Sequence, residues 1–213
     1  MAEPVELDAA RQAEARRYSA ESRRWMLAEL ALSLFLLLLF LLSGASARLA
    51  DWASRTSGGN PWLTVALYGA VLFVGYTLLT LPLSYLSGFR LPHRYGMSNQ
   101  SAGEWAADQV KALVLTALFG GIVVEVIYAL LRWQPGWWWL WAALFLLFVT
   151  VLLGQLAPVL ILPLFYKLTL LDDEALKARL ERLGEQAGAR VTGVYTINLS
   201  SKSPAANAVV MGL

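Results

Sequence analysis

No charged residue occurs between Trp133 and Tyr166. A helix drawn from Trp137 to Tyr166 would be about 45 Å long at about 1.5 Å per residue, which exceeds the roughly 30 Å of hydrocarbon in a bilayer. A lipid solvent accommodates such a run more readily than the interior of a chain this size. Three further stretches have the same character: Trp25 to Ser43, broken only by Glu29; Pro61 to Leu86, with no charge; and Ala112 to Leu131, which contains Glu125. The longest run is predicted to cross between Trp137 and Ala157. Pro158 and Pro163 then kink or end the helix, because proline lacks an amide donor and clashes with the preceding turn. The whole chain is 58% hydrophobic and 15% charged, whereas soluble domains run near about 50% and about 25%. A disordered chain is excluded, and the absence of cysteine excludes a disulfide scaffold.

The distribution of Lys and Arg gives an orientation. Arg11, Arg16, Arg17, Arg23 and Arg24 precede the first span; Arg90, Arg94 and Lys111 lie between the second and third; Lys167, Lys177, Arg179, Arg182, Arg190 and Lys202 follow the fourth. The other side holds Arg48, Arg55 and Arg132. Fourteen against three predicts that both termini are cytoplasmic. Trp133, Trp137, Trp138, Trp139 and Trp141 then form an aromatic belt at the outer interface, with ring in lipid and N–H among headgroups. The formal charge of +2 gives no basis for a nucleic-acid partner. Residues 1–24 carry five acids and five bases, unlike a signal peptide, and read as a polar helix with Glu21 and Arg24 at helical spacing.

Between the second and third spans, Ser87 to Ser101 reads as a loop that holds His93, the one histidine. It ends in Ser101-Ala-Gly-Glu104, a capping box that starts a helix carrying Trp105, Asp108 and Lys111 into span three. A single histidine without cysteine cannot build a zinc site, so His93 is read as structural or solvated, and no residue is a metal ligand.

After Tyr166 the composition becomes that of a soluble domain. Asp172, Asp173 and Glu174 open a helix whose stripe is Leu176, Leu180, Leu183 and Ala187, and Gly188 is a stop. Val191, Gly193, Tyr195, Ile197 and Leu199 alternate as a strand, Ser200 to Pro204 makes a turn, and a second strand runs from Asn207 to Leu213. A helix and two strands bury little core, so either this tail docks on the membrane helices or residues 167–213 open a larger domain of which the chain is an amino-terminal piece, and the second is expected. The predicted fold is therefore an α-helical integral membrane protein, with about four transmembrane helices (25–43, 61–86, 112–131 and 137–157) inside 25–166. The start of a small α+β cytoplasmic domain follows.

Three stretches, in order, resemble one family. Leu91-Pro-His-Arg-Tyr-Gly-Met-Ser-Asn-Gln100, with Trp105, Asp108 and Lys111, is similar to the loop and helix before the third membrane segment of bacterial CAAX prenyl protease 1-like metallopeptidases. Ala157-Pro-Val-Leu-Ile-Leu-Pro-Leu-Phe-Tyr-Lys167, followed by Leu170 to Leu176, resembles that family's passage into its protease domain. Ser200 to Gly212, with Asn207-Ala208 inside it, resembles the strand before the zinc-binding helix. The resemblance implies a zinc endopeptidase in a bacterial cytoplasmic membrane, acting on a peptide or protein substrate. Its catalytic helix would carry His-Glu-x-x-His, whose two histidines ligate zinc while the glutamate takes a proton from bound water. This chain has no such motif and no catalytic residue of its own; zinc is implied for a longer parent.

By the same resemblance Asn207 and Ala208 are substrate-binding candidates on a strand to which an extended peptide can add. The alternative is that Asn207 ends a turn and bonds its own backbone. Glu29, one turn inside its span, is expected to snorkel towards Arg24. Glu125 lies deeper and must face other helices or a hydrated cavity. Two readings compete with an enzyme portion: a non-enzymatic scaffold or binding protein of the same descent, and a small transporter using Glu125. The spans show no paired, broken repeat halves that would favour the transporter.

Overall fold

The computed structural model describes residues 9–188, 193–200 and 202–204. Its contacts divide the chain into two units, Met1–Leu146 and Leu147–Leu213.

In the first unit, α1 (Ala9–Leu42) runs unbroken from the polar amino-terminal stretch through the first apolar run. It stops where Gly44 takes φ +72°, a left-handed conformation that costs glycine little. A 12-residue helix, α2 (Ala45–Thr56), follows and buries Ala53; the sequence reading did not foresee it. The turn after α2 uses Gly58 and Gly59 at positive φ. Asn60 then caps α3 (Pro61–Tyr85), its side chain accepting from the amides of Trp62 and Leu63, with proline at the first helical position where no donor is needed.

Helix α3 is the hub, touching α1, α2 and α5 (Ala102–Trp133). Hydroxyls join the helices, within the spans and at the α2 end of α3. Ser33 and Tyr76 share a hydrogen bond of 2.8 Å, Ser46 and Tyr68 one of 2.9 Å, and Ser57 and Thr64 one of 2.7 Å. Lipid gives apolar helices no reason to hide from solvent, so such polar links and close packing hold them together. Among the described residues the buried hydrophobic set is correspondingly small: Ala53, Leu91 and Ala142. At the opposite end of α3, the Arg132 guanidinium lies 5.0 Å from the centroid of the Trp62 ring, tying the end of α5 to the start of α3. Trp133 and Trp141 lie 6.0 Å apart there, beside the Pro135-Gly136 turn that leads into α6 (Trp138–Leu156).

Four helical segments are long and apolar enough to cross a membrane: Ala9–Leu42, Pro61–Arg94, Ala102–Trp133 and Trp138–Phe165. The second continues past the expected end at Leu86. A π-helical turn, Leu86–Arg90, leads into α4 (Leu91–Arg94), so the stretch read as loop from Ser87 is helical as far as Arg94. The fourth does the same, through Ala157–Ile161 into α7 (Leu162–Phe165). In each case the residue just before a proline, Leu91 or Leu162, sends its N–H back five residues, to Leu86 or Ala157. The widened turn absorbs the ring of Pro92 or Pro163, which would otherwise strike the carbonyl one turn back.

In the second unit, β1 (Leu168–Leu170) and β2 (Tyr195–Ile197) pair antiparallel, Leu168 opposite Ile197 and Leu170 opposite Tyr195. The sequence reading anticipated a strand around Tyr195 but not β1. Between them α8 (Glu174–Gln186) begins at Asp173, whose carboxylate accepts from the Leu176 amide at 2.9 Å, and ends before Gly188 at φ +70°. The second strand expected from Asn207 to Leu213 lies outside the described residues.

Candidate functional site

Among the described residues, a polar network fills the junction between α3 and α5. It starts with α4, closed by a Schellman turn: the Met97 amide donates to the Pro92 carbonyl at 2.9 Å and the Gly96 amide to that of His93 at 3.1 Å, with Gly96 at φ +62°. His93 is held at both ring nitrogens. Nδ1 lies 2.7 Å from the Phe89 carbonyl oxygen and Nε2 2.7 Å from that of Gln100. Carbonyls only accept, so a neutral ring serves one of them and an imidazolium serves both. Either way the ring joins the end of the π-helical turn to the end of the loop, in line with the structural reading of this residue.

Beyond His93 the network enters α5. Gln100 Nε2 donates to Asp108 Oδ2 at 2.6 Å, and Lys111 Nζ donates to Asp108 Oδ1 at 3.2 Å. The capping box is present in full, Ser101 Oγ accepting from the Glu104 amide and the Glu104 carboxylate accepting from the Ser101 amide. Trp105 stands edge-on to Tyr85 at 5.5 Å and tilted against Phe89 at 5.9 Å. The indole packs close to Gly88, where a Cβ would make an ordinary contact with its nitrogen at 3.6 Å.

Helix α1 docks on this platform. Glu21 forms an ion pair with Arg94 and accepts from the Tyr95 hydroxyl at 2.9 Å, while the rings of Tyr18 and Tyr95 meet edge to face at 5.4 Å. Lower down, Ser87 Oγ donates to Glu29 Oε1 at 2.5 Å. These pairings correct two expectations. Glu21 is engaged by Arg94 and Tyr95 rather than by Arg24 one turn away, and Glu29 is met by a hydroxyl from the neighbouring segment instead of snorkelling to Arg24. Sequence spacing could not find either partner, since they lie 74 and 58 residues along the chain.

Glu125 is placed differently. Both carboxyl oxygens are shielded from solvent, and neither has a hydrogen-bond partner among the described residues. It lies 14 residues beyond Lys111 and 7 before Arg132, about 21 Å and about 10 Å along the helix. An ionisable group at that depth is a functional candidate by its cost alone.

No group of three His, Cys, Asp or Glu side chains that could hold a metal occurs among the described residues. The donor set does not fit zinc, because the chain has one histidine and no cysteine and both nitrogens of that histidine face carbonyls. Asn207 and Ala208, the substrate-binding candidates, lie outside the described residues.

Residues 4–167 match the family described as CAAX prenyl protease N-terminal, five membrane helices. The chain is 31% identical over 179 residues to YhfN of Bacillus subtilis, an uncharacterized metalloprotease, covering 84% of this chain and 42% of that protein. It is 32% identical over 137 residues to CAAX prenyl protease 1 of Saccharomyces cerevisiae, covering 64% of this chain and 30% of the relative. The crystal structure of S. mikatae Ste24p aligns with a TM-score of 0.84 at 27% identity, over 98% of this chain and 50% of that one. The chain thus spans half or less of the length of these relatives. Four described helical segments reach bilayer length where the family description has five; α2, with 12 residues, is too short to be another. The agreement of sequence over residues 4–167 and of fold over nearly the whole chain leads to one conclusion: this is an integral membrane protein of the CAAX prenyl protease amino-terminal family.

Proposed function

We propose that this chain is the amino-terminal membrane region of a CAAX prenyl protease 1-like zinc metalloendopeptidase, with the zinc ligands supplied by residues outside it. The observation that carries the reading is the match of residues 4–167 to the family, joined to a fold that covers half of a solved relative. In this reading residues 1–24 are a polar segment, 25–166 the membrane domain and 167–213 the opening of the protease-type domain. Asn207 and Ala208 line the cleft where an extended peptide adds to a strand. The fourteen-to-three distribution of Lys and Arg supports cytoplasmic termini. The role of the present residues is to build the membrane scaffold and to brace its loop end through His93, Asp108 and Glu21. Catalysis is not assigned to any of them, because one histidine and no cysteine cannot assemble the zinc site.

The test is to purify the gene's product from its native membrane, weigh it, and measure zinc and hydrolysis of a prenylated CAAX peptide. A product longer than 213 residues with one zinc per chain and chelator-sensitive cleavage is the expected result. A stable 213-residue product that binds no zinc and cleaves nothing would overturn it in favour of a non-enzymatic scaffold.

A further inference from the structure

The near balance of acids and bases before the first span conceals a sharp segregation around α1. At about 100° per residue, Ala9, Ala13, Arg16, Arg17, Ala20, Arg23 and Arg24 fall in one arc about 120° wide, which holds no other residue between Ala9 and Arg24. The acids Glu14 and Glu21 lie outside it. Arg16, Arg17, Arg23 and Arg24 are all exposed, and none of the four has an ion pair among the described residues. Tyr18, Glu21 and Glu29, outside that arc, dock on Tyr95, Arg94 and Ser87, and Arg17 at the edge of the arc lines a shallow cavity with Glu14 and Tyr95.

Because α1 is continuous, the arginine arc can be followed into the apolar layer. It runs directly into Leu27, Leu34, Leu38 and Leu41, which are 56%, 54%, 46% and 54% exposed. The opposite face below Glu29 carries Ser33, bonded to Tyr76 of α3. The face that bears the arginines therefore continues, further down, into exposed leucines, the order in which a lipid presents headgroup and tail.

We infer that Arg16, Arg17, Arg23 and Arg24 form a binding surface for anionic lipid headgroups in the leaflet on the amino-terminal side. Arg23 and Arg24 precede Trp25 at the start of the span and lie at headgroup level, a layer about 5–8 Å deep. Arg16 and Arg17 are one heptad higher, about 10 Å, and remain within about a Debye length of that layer. Guanidinium groups suit the phosphodiester because they donate from a planar fork, and the intervening alanines keep the surface open.

The experiment is native mass spectrometry of the purified chain titrated with phosphatidylglycerol or phosphatidylcholine. A basic side chain near an anionic surface contributes about fivefold in binding, so Arg23 and Arg24 together set a preference of about 25-fold for phosphatidylglycerol. Replacing all four arginines by glutamine is expected to remove that preference, and replacing all four by lysine to keep most of it. Raising the salt should weaken it. Circular dichroism checks that each variant remains helical; if the glutamine variant does not fold, the wild-type preference and its retention in the lysine variant decide. Equal binding of the two lipids by the wild type, or an undiminished preference in a folded glutamine variant, would overturn the inference.

Discussion

Replacing Glu125 by leucine should make this membrane region more stable. Two carboxyl oxygens are sealed from solvent with no hydrogen-bond partner among the described residues, and an orphaned buried polar group carries a penalty of about 1–3 kcal/mol, more for a charged one. Leucine removes both oxygens at similar volume, so little strain offsets the gain. The expected change for Glu125→Leu is a stabilisation of about 1–3 kcal/mol. Glu125→Gln keeps two polar atoms in the same place and should recover less than about 1 kcal/mol. The assay is reversible unfolding of the purified chain in mixed micelles titrated with sodium dodecyl sulfate, followed by far-ultraviolet circular dichroism. A destabilisation of about 1 kcal/mol or more by leucine, the loss expected when a satisfied polar group is removed, would show that donors reach the carboxylate and would refute the reasoning. Stabilisation would mean that the glutamate is kept at the expense of stability, the pattern of a functional group.

Three further outcomes follow from local geometry. Ser101→Ala removes the capping box that opens α5 and should cost about 1 kcal/mol, read as faster hydrogen exchange at the Glu104 amide. For the link between Ser87 and Glu29, a double-mutant cycle with Ser87→Ala and Glu29→Gln in the same unfolding assay should give a coupling of about 0.6–1.7 kcal/mol; independent effects would show that the hydroxyl does not serve the carboxylate. Gly188→Ala places a Cβ at φ +70°, a left-handed conformation unfavourable by about 1–2 kcal/mol, and should fray the end of α8, lowering helical signal in residues 174–186.

The parts of this molecule that were legible in its sequence are those whose physics is local. Bilayer-length apolar runs announced the spans. The Ser101-Ala-Gly-Glu104 spacing announced the start of α5, and Gly188 the end of α8. What escaped needed partners at a distance or a compromise between neighbours. Leu168-Thr-Leu170 is too short to register as a strand until residues 195–197 lie beside it. The stretch around Ser87 reads as a loop by composition, yet it is helical because a π-turn makes room for Pro92. Glu21 has an arginine one turn away on its own helix and pairs instead with one brought to it by α4. The substrate-binding candidates Asn207 and Ala208 were reached through family resemblance, and lie outside the described residues.

The sequence by itself determined that the chain enters a membrane, because transfer of each side chain into lipid is nearly independent of its neighbours and adds along the run. Within that solvent the backbone must bond to itself, so long helices follow. Only the tertiary structure decided which polar groups meet. A hydroxyl at Ser87 reaches Glu29, two carbonyls hold His93, and Glu125 has no partner among the described residues. Hydrogen bonds act over a few ångströms between atoms that are far apart along the chain, and hydropathy carries no information about that separation.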